Sequence, residues 1–185
     1  MSSVLSISHS AKKVNAFVPF QVITSICTIA ALLQSSFSDT LLSILPVTTD
    51  KVPYFCLFIL LFLWIFTRIA VILGLANTRK PGYDNKTPRR TNTVEYLGND
   101  LYKLQCAHDN TLEAIVVATV ASVVASNLDL DSVVFAKLSI FNLVARIVYP
   151  YLYVYGPDMV RSIVFAFGFF SSLGIITCSL FPQLI

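Results

Sequence analysis

Apolar residues fall along this chain in long runs separated by short polar stretches, and the length of the runs is their most informative property. Val52 to Ala76 is the strongest, and from Phe55 to Phe66 it has no charged or amide side chain. An α-helix rises 1.5 Å per residue, so roughly 20 such residues cross the hydrocarbon core of a bilayer. Three more runs follow. One begins near Val94 or Asp100 and ends at Asn127, with a polar first half and a second half rich in small residues (Ala118, Ala121, Ser122, Ala125, Ser126). The next runs from about Ser132 to Tyr153 and the last from about Met159 to Phe181. Small residues let membrane helices approach closely. A weaker run, Val14 to Leu33, carries Pro19, Gln21 and several hydroxyls. It is read as an additional N-terminal helix, with an interfacial segment or a cleaved signal as the alternatives.

The polar stretches read as connections. Gln34 to Lys51 is polar apart from Leu41 to Leu45. Asn77 to Asp100 is basic and rich in turn residues, Asn127 to Asp131 is a tight acidic turn with Asp131 as N-cap, and Tyr155-Gly-Pro-Asp158 is another turn. Composition agrees with the pattern. The chain is 56% hydrophobic and 12% charged, about half the charge of a soluble domain. The expected fold is all-α: a transmembrane four-helix bundle over 52–185, preceded by an extension, 1–51, with the extra hydrophobic segment.

The net charge of +3 does not indicate nucleic acid, because the basic residues cluster beside apolar runs. Arg79, Lys80, Lys86, Arg89 and Arg90 lie in one loop, and the Asn127–Asp131 turn has no cation. The positive-inside rule therefore expects loop 77–100 in the cytosol, the Asn85 sequon unglycosylated, Arg161 near the cytosolic face and the C-terminus in the lumen. Cys27, Cys56, Cys106 and Cys178 lie in or beside apolar runs without metal-ligand or CxxC spacing, and read as small buried hydrophobes.

Polar groups inside a span are costly and so mark candidate function. The third run holds His108, Asp109, Asn110 and Glu113, with Asn110 and Glu113 on one helical face. The fourth holds Asn142, Arg146, Tyr149 and Tyr153, spaced four, three and four, again one face. The economical pairing is Glu113 with Arg146, either as a lock between helices or as a pocket wall. Arg161 opens the last helix, as a headgroup anchor or as a stabiliser of an anion or thiolate. His108 reads more simply as a satisfied interfacial histidine than as a base. Tyr151 and Tyr155 alternate away from the Arg146 face.

These residues resemble those of a known family. Ala107-His-Asp-Asn-Thr-Leu-Glu-Ala114 resembles the Ala-His-x-Asn-x-x-Glu signature of the MAPEG family, the membrane-associated proteins in eicosanoid and glutathione metabolism. Arg146 to Tyr153 and then Arg161-Ser162 resemble its Arg-x6-Tyr and Arg-Ser elements, and Asn77-Thr-Arg-Lys-Pro81 resembles the element after its first helix. The resemblance covers about 52–181 and looks closer to bacterial and fungal members.

It implies four-helix subunits in a homotrimer, most naturally of the endoplasmic reticulum, with glutathione as co-substrate held between subunits near the cytosolic face and a lipophilic small molecule entering from lipid. The implied activity is a glutathione-dependent transferase or peroxidase acting on lipophilic electrophiles or lipid hydroperoxides. By position, Asn110, Glu113, Tyr153 and Arg161 would contact glutathione, Arg161 stabilising the thiolate with Tyr153 beside it. Arg146 would partner Glu113, with His108 and Tyr149 in the same set. Where the characterised mammalian enzymes have arginine this chain has Cys106, and where several have a basic residue it has Asp109. The alternative is a non-catalytic membrane scaffold or accessory subunit on the same bundle.

Overall fold

A computed structural model describes residues 36–76 and 97–184 of the chain. The Val14–Leu33 segment and most of the 77–100 loop, with its sequon and basic cluster, lie outside the described residues. A short helix α1 (Ser36–Ile44) and a single 3-10 turn (Thr49–Lys51) lead into α2 (Val52–Ala76), α3 (Asn99–Asn127), α4 (Ser132–Tyr155) and α5 (Asp158–Leu180). A last 3-10 turn, Pro182–Leu184, follows. The four long helices are each long and apolar enough to cross a membrane. Their bounds fall within about two residues of those expected, because residues that cap or stop a helix stand at most of the described helix ends.

Local chemistry explains those stops. Pro53 stands in the first turn of α2, where a missing N–H breaks no bond. Gly98, at φ +78°, opens α3 in a conformation that favours glycine. Asp131 is the expected N-cap of α4, its Oδ1 accepting from the N–H groups of Val133 and Val134 at 3.0 Å each. Asp129 takes the left-handed conformation in the preceding turn, which a short polar side chain tolerates. Gly156 ends α4 by donating to the Leu152 carbonyl at 2.8 Å, and Pro157 starts α5.

All pairs of long helices pack extensively against one another except α2 with α5. The cross-section is therefore a rhombus, with α3 and α4 across its short diagonal and α2 and α5 at its ends. Small side chains make this possible. Ala118, Ala121, Ser122 and Ala125 of α3 and Ser171 and Ser172 of α5 are all buried. Near the loop end, Val71, Leu75 and Leu97 form a separate apolar cluster. There a Cβ on Gly74 would overlap Leu101. From Phe58 to Leu73 the outer stripe of α2, including Phe62 and Phe66, is exposed and wholly apolar, as a lipid-facing surface requires.

The apolar patch Leu41 to Leu45 turns out to belong mostly to α1, which lies on α4. Lys137 pairs with Asp39 at 2.8 Å, Phe37 meets Phe141 at 6.4 Å, and Leu41, Leu42 and Leu45 pack against Val52, Cys56, Ala136 and Ile140. Nine residues cannot hold a helix alone in water, so this packing is what fixes α1.

Removing the α4 cap should be measurable. Asp131→Ala strands two N–H groups and should cost about 1 kcal/mol, lowering the melting temperature in detergent by about 2–4 °C. An unchanged melting curve would mean that the cap contributes nothing.

Candidate functional site

The polar residues of the spans are not spread evenly. They form a column between α3, α4 and α5 that starts at the end where α3 begins, α4 ends and α5 begins. At that mouth Arg161 lies over the Tyr153 ring, 4.4 Å from its centroid, and meets Asp158 at 3.3 Å. The Cys106 thiol lies beside the Tyr102 and Tyr153 hydroxyls. Lys103 donates to the Val154 carbonyl at 3.3 Å, which ties the start of α3 to the end of α4.

One turn deeper, Asn110 Nδ2 donates to the Tyr149 hydroxyl at 2.8 Å. Tyr149 meets Tyr153 edge to face at 5.4 Å and Phe165 at 5.7 Å. Deeper again is Arg146, 1% exposed and about 14 Å along the helix from the end of α4. Its guanidinium lies 4.6 Å from the Phe165 centroid and 5.6 Å from that of Tyr149. Below it, Asn142 donates to Ser172 Oγ at 3.0 Å. The face Asn142, Arg146, Tyr149, Tyr153 therefore points inward as its spacing implies, while Tyr151 and Tyr155 are exposed.

The expected ion pair is not formed within the subunit. Among the described residues no ion pair joins Glu113 to Arg146. Glu113 is exposed on the outer face of α3, close enough for its charge to act on Arg146 through space but not bonded to it. The reason is angular. Glu113 sits about 60° around α3 from Asn110, and that turn carries its carboxylate past α4 to the surface. Arg146 is held by aromatic faces instead, each contact worth about 0.5–2 kcal/mol.

His108 is also not brought to the column. Two residues before Asn110, it faces α2. There it stacks on Trp64 at 5.2 Å, and its Nδ1 is 3.0 Å from the Trp64 carbonyl and 3.2 Å from Thr67 Oγ1. It is the satisfied histidine that the residues alone suggested. Beside it is a contact the sequence reading did not single out. Arg68 donates to Gln105 Oε1, and Gln105 Nε2 donates to Asp109 Oδ1 at 2.9 Å. The i,i+4 spacing of Gln105 and Asp109 and the lone cation of the second run were the available signals.

These features define a multi-pass membrane protein with four helices able to span a membrane, three of which pack around a column of polar side chains. Residues 52–181 match the model of the MAPEG family, and the chain belongs to that family. No curated protein and no solved structure matches it.

Two substitutions separate the aromatic seat of Arg146 from an ion pair. Glu113→Gln should shift stability by no more than about 0.5 kcal/mol, whereas breaking a buried pair would cost about 3–5 kcal/mol. Gly168→Ala should destabilise by about 1–3 kcal/mol, because its Cβ would lie 3.0 Å from Arg146 Nε and 3.3 Å from Asn142 Oδ1. Thermal melts in detergent read both. A large loss for Glu113→Gln with a harmless Gly168→Ala would restore the ion pair.

Proposed function

We propose that the protein is a membrane-bound, glutathione-dependent transferase or peroxidase acting on lipophilic electrophiles or lipid hydroperoxides. The observation that carries this reading is the mouth of the column, where the Arg161 guanidinium lies over the Tyr153 ring at the start of α5. A thiolate is the reactive form of a thiol, and an adjacent guanidinium favours it. Arg161 is only partly buried, so its charge is accessible to a ligand. The exposed Glu113 carboxylate suits an ammonium group, and the half-buried Asn110, held by the buried Tyr149 hydroxyl, supplies a further polar contact. Arg146 and His108 support this site from within the fold rather than line it. Bound glutathione would supply the nucleophilic or reducing sulfur, and lipid would deliver the apolar partner to the same end.

The outer face of α3 supports assembly. Asp109 and Glu113 lie on it among the exposed Leu112, Val116 and Val120. Carboxylates at membrane depth cost several kcal/mol if they face lipid. A second copy covering that face removes the cost, in keeping with a homotrimer. The same reading puts the basic 77–100 loop in the cytosol and the protein in the endoplasmic reticulum.

A scaffold or accessory-subunit reading is favoured by Cys106 and Asp109, which leave the mouth with less positive charge for a peptide anion. Titration calorimetry with glutathione on the full chain in detergent separates the two. The wild type should bind, Arg161→Ala should lose binding, and Arg161→Lys should keep part of it. No heat with the wild type favours the scaffold.

A further inference from the structure

Below the mouth, the column contains polar groups that no protein atom satisfies. Arg146 Nε and Nη1 and Asn142 Oδ1 are buried without a hydrogen-bond partner, on residues 1% and 3% exposed. Pro150, inside α4, has no N–H to offer the Arg146 carbonyl four residues back, which loosens the backbone hydrogen bonding at the same level. Donors and acceptors on these side chains thus lie buried and unpaired within about one turn of one helix. Each such group costs about 1–3 kcal/mol if it stays dry.

The surroundings indicate what satisfies them. Arg146 Nε and Asn142 Oδ1 converge on Gly168 of α5, lying 3.0 and 3.3 Å from the point a Cβ would occupy. The neighbouring helix therefore presents no side chain between donor and acceptor. Asn142 also borders a separate cavity of about 10 Å³ among Ser122, Ser139, Cys56, Pro53 and Ile175, which neither Arg146 nor Gly168 lines. That volume is close to the least that holds one water and is too small for an organic ligand. A water accepts from an arginine N–H and donates to a carbonyl oxygen, so it meets both needs at once.

We propose that the Asn142–Arg146 layer is a water site, in which an ordered internal water bridges the Arg146 guanidinium to Asn142 Oδ1, with a second in the cavity that Asn142 shares with Ser122 and Ser139. Hydration then carries part of the cost of a cation that has no bonded carboxylate. The site lies deeper than the mouth, and the inference does not depend on glutathione binding.

The test is a map of the wild-type protein, in detergent or nanodiscs, at a resolution that shows ordered water. The expected result is density within hydrogen-bond distance of Asn142 Oδ1 and of Arg146 Nε or Nη1. A direct Arg146–Asn142 contact with nothing between them overturns the proposal. So does a bromide soak that puts an anomalous peak at the site, since that identifies an anion.

Asn142→Leu provides a second readout. In a hydrated layer it removes a water partner and should lower the melting temperature by about 3 °C or more. The bond from Asn142 to Ser172 Oγ is lost in either case, so Asn142→Leu is compared with Ser172→Ala: in a dry layer it costs no more than Ser172→Ala, and that outcome also overturns the proposal. If Asn142→Leu does not fold, the wild-type map decides alone.

Discussion

The arrangement of this bundle follows from one requirement: a guanidinium must be accommodated inside a span without a bonded carboxylate. Arg146 is the largest fully buried side chain in the described residues, and its neighbours are what such a group needs. Phe165 and Tyr149 turn ring faces toward its charge. Gly168 brings the α5 backbone close enough to enclose it. Asn110 fixes Tyr149 through its hydroxyl, and Tyr149 in turn abuts Tyr153, the ring beneath Arg161. The mouth of the column is thus connected, ring by ring, to the buried cation beneath it. A change at Arg146 would be felt at Tyr153 through two aromatic contacts with no change in the mouth residues themselves.

The signature on α3 does three separate tasks. Successive residues of an α-helix are 100° apart, so His108 and Asn110 point to nearly opposite sides. His108 locks α3 to α2 through Trp64 and Thr67, Asn110 faces α4 and the column, and Glu113 faces outward. A motif that looks like one site along the chain becomes a lock, a column wall and an outer surface. This is why grouping residues by motif brought His108 into the candidate site, while the reading of its surroundings kept it out.

Much of this was legible in the sequence for physical reasons. Span bounds could be read because turn or cap residues, such as Gly98, Asp131 and Gly156, stand at the described helix ends. The inward face of α4 could be read because Asn142, Arg146, Tyr149 and Tyr153 keep helical spacing. The partner of Arg146 could not. Periodicity gives the direction of a side chain around its own helix, but not the rotation of the neighbouring helix, and about 60° on α3 separates an ion pair from an exposed carboxylate. Arg68 was hidden for a related reason: its hydrogen bond to Gln105 crosses from one helix to another, and one sequence does not record that register. Helix α1 was missed because its stability comes from Asp39, Phe37 and three leucines meeting α4 rather than from its own length.

The exposed faces carry the argument beyond the single chain. Helices α2 and α3 both present surface at membrane depth, and their contents differ in kind. The α2 stripe, with Phe58, Phe62, Phe66 and Leu73, contains nothing that lipid would reject. The α3 face mixes Leu112, Val116 and Val120 with Asp109 and Glu113. Hydrocarbon would treat these two surfaces very differently, so one environment does not suit both. If α2 is the lipid side, the α3 face belongs against protein or a polar ligand, and the same face sets Glu113 within electrostatic reach of Arg146. A covered α3 face would keep water away from that carboxylate and strengthen its field at the buried guanidinium. If a second copy covers that face, as proposed, assembly and the charge balance of the column would be coupled through Glu113, the acidic residue that faces outward beside the buried base.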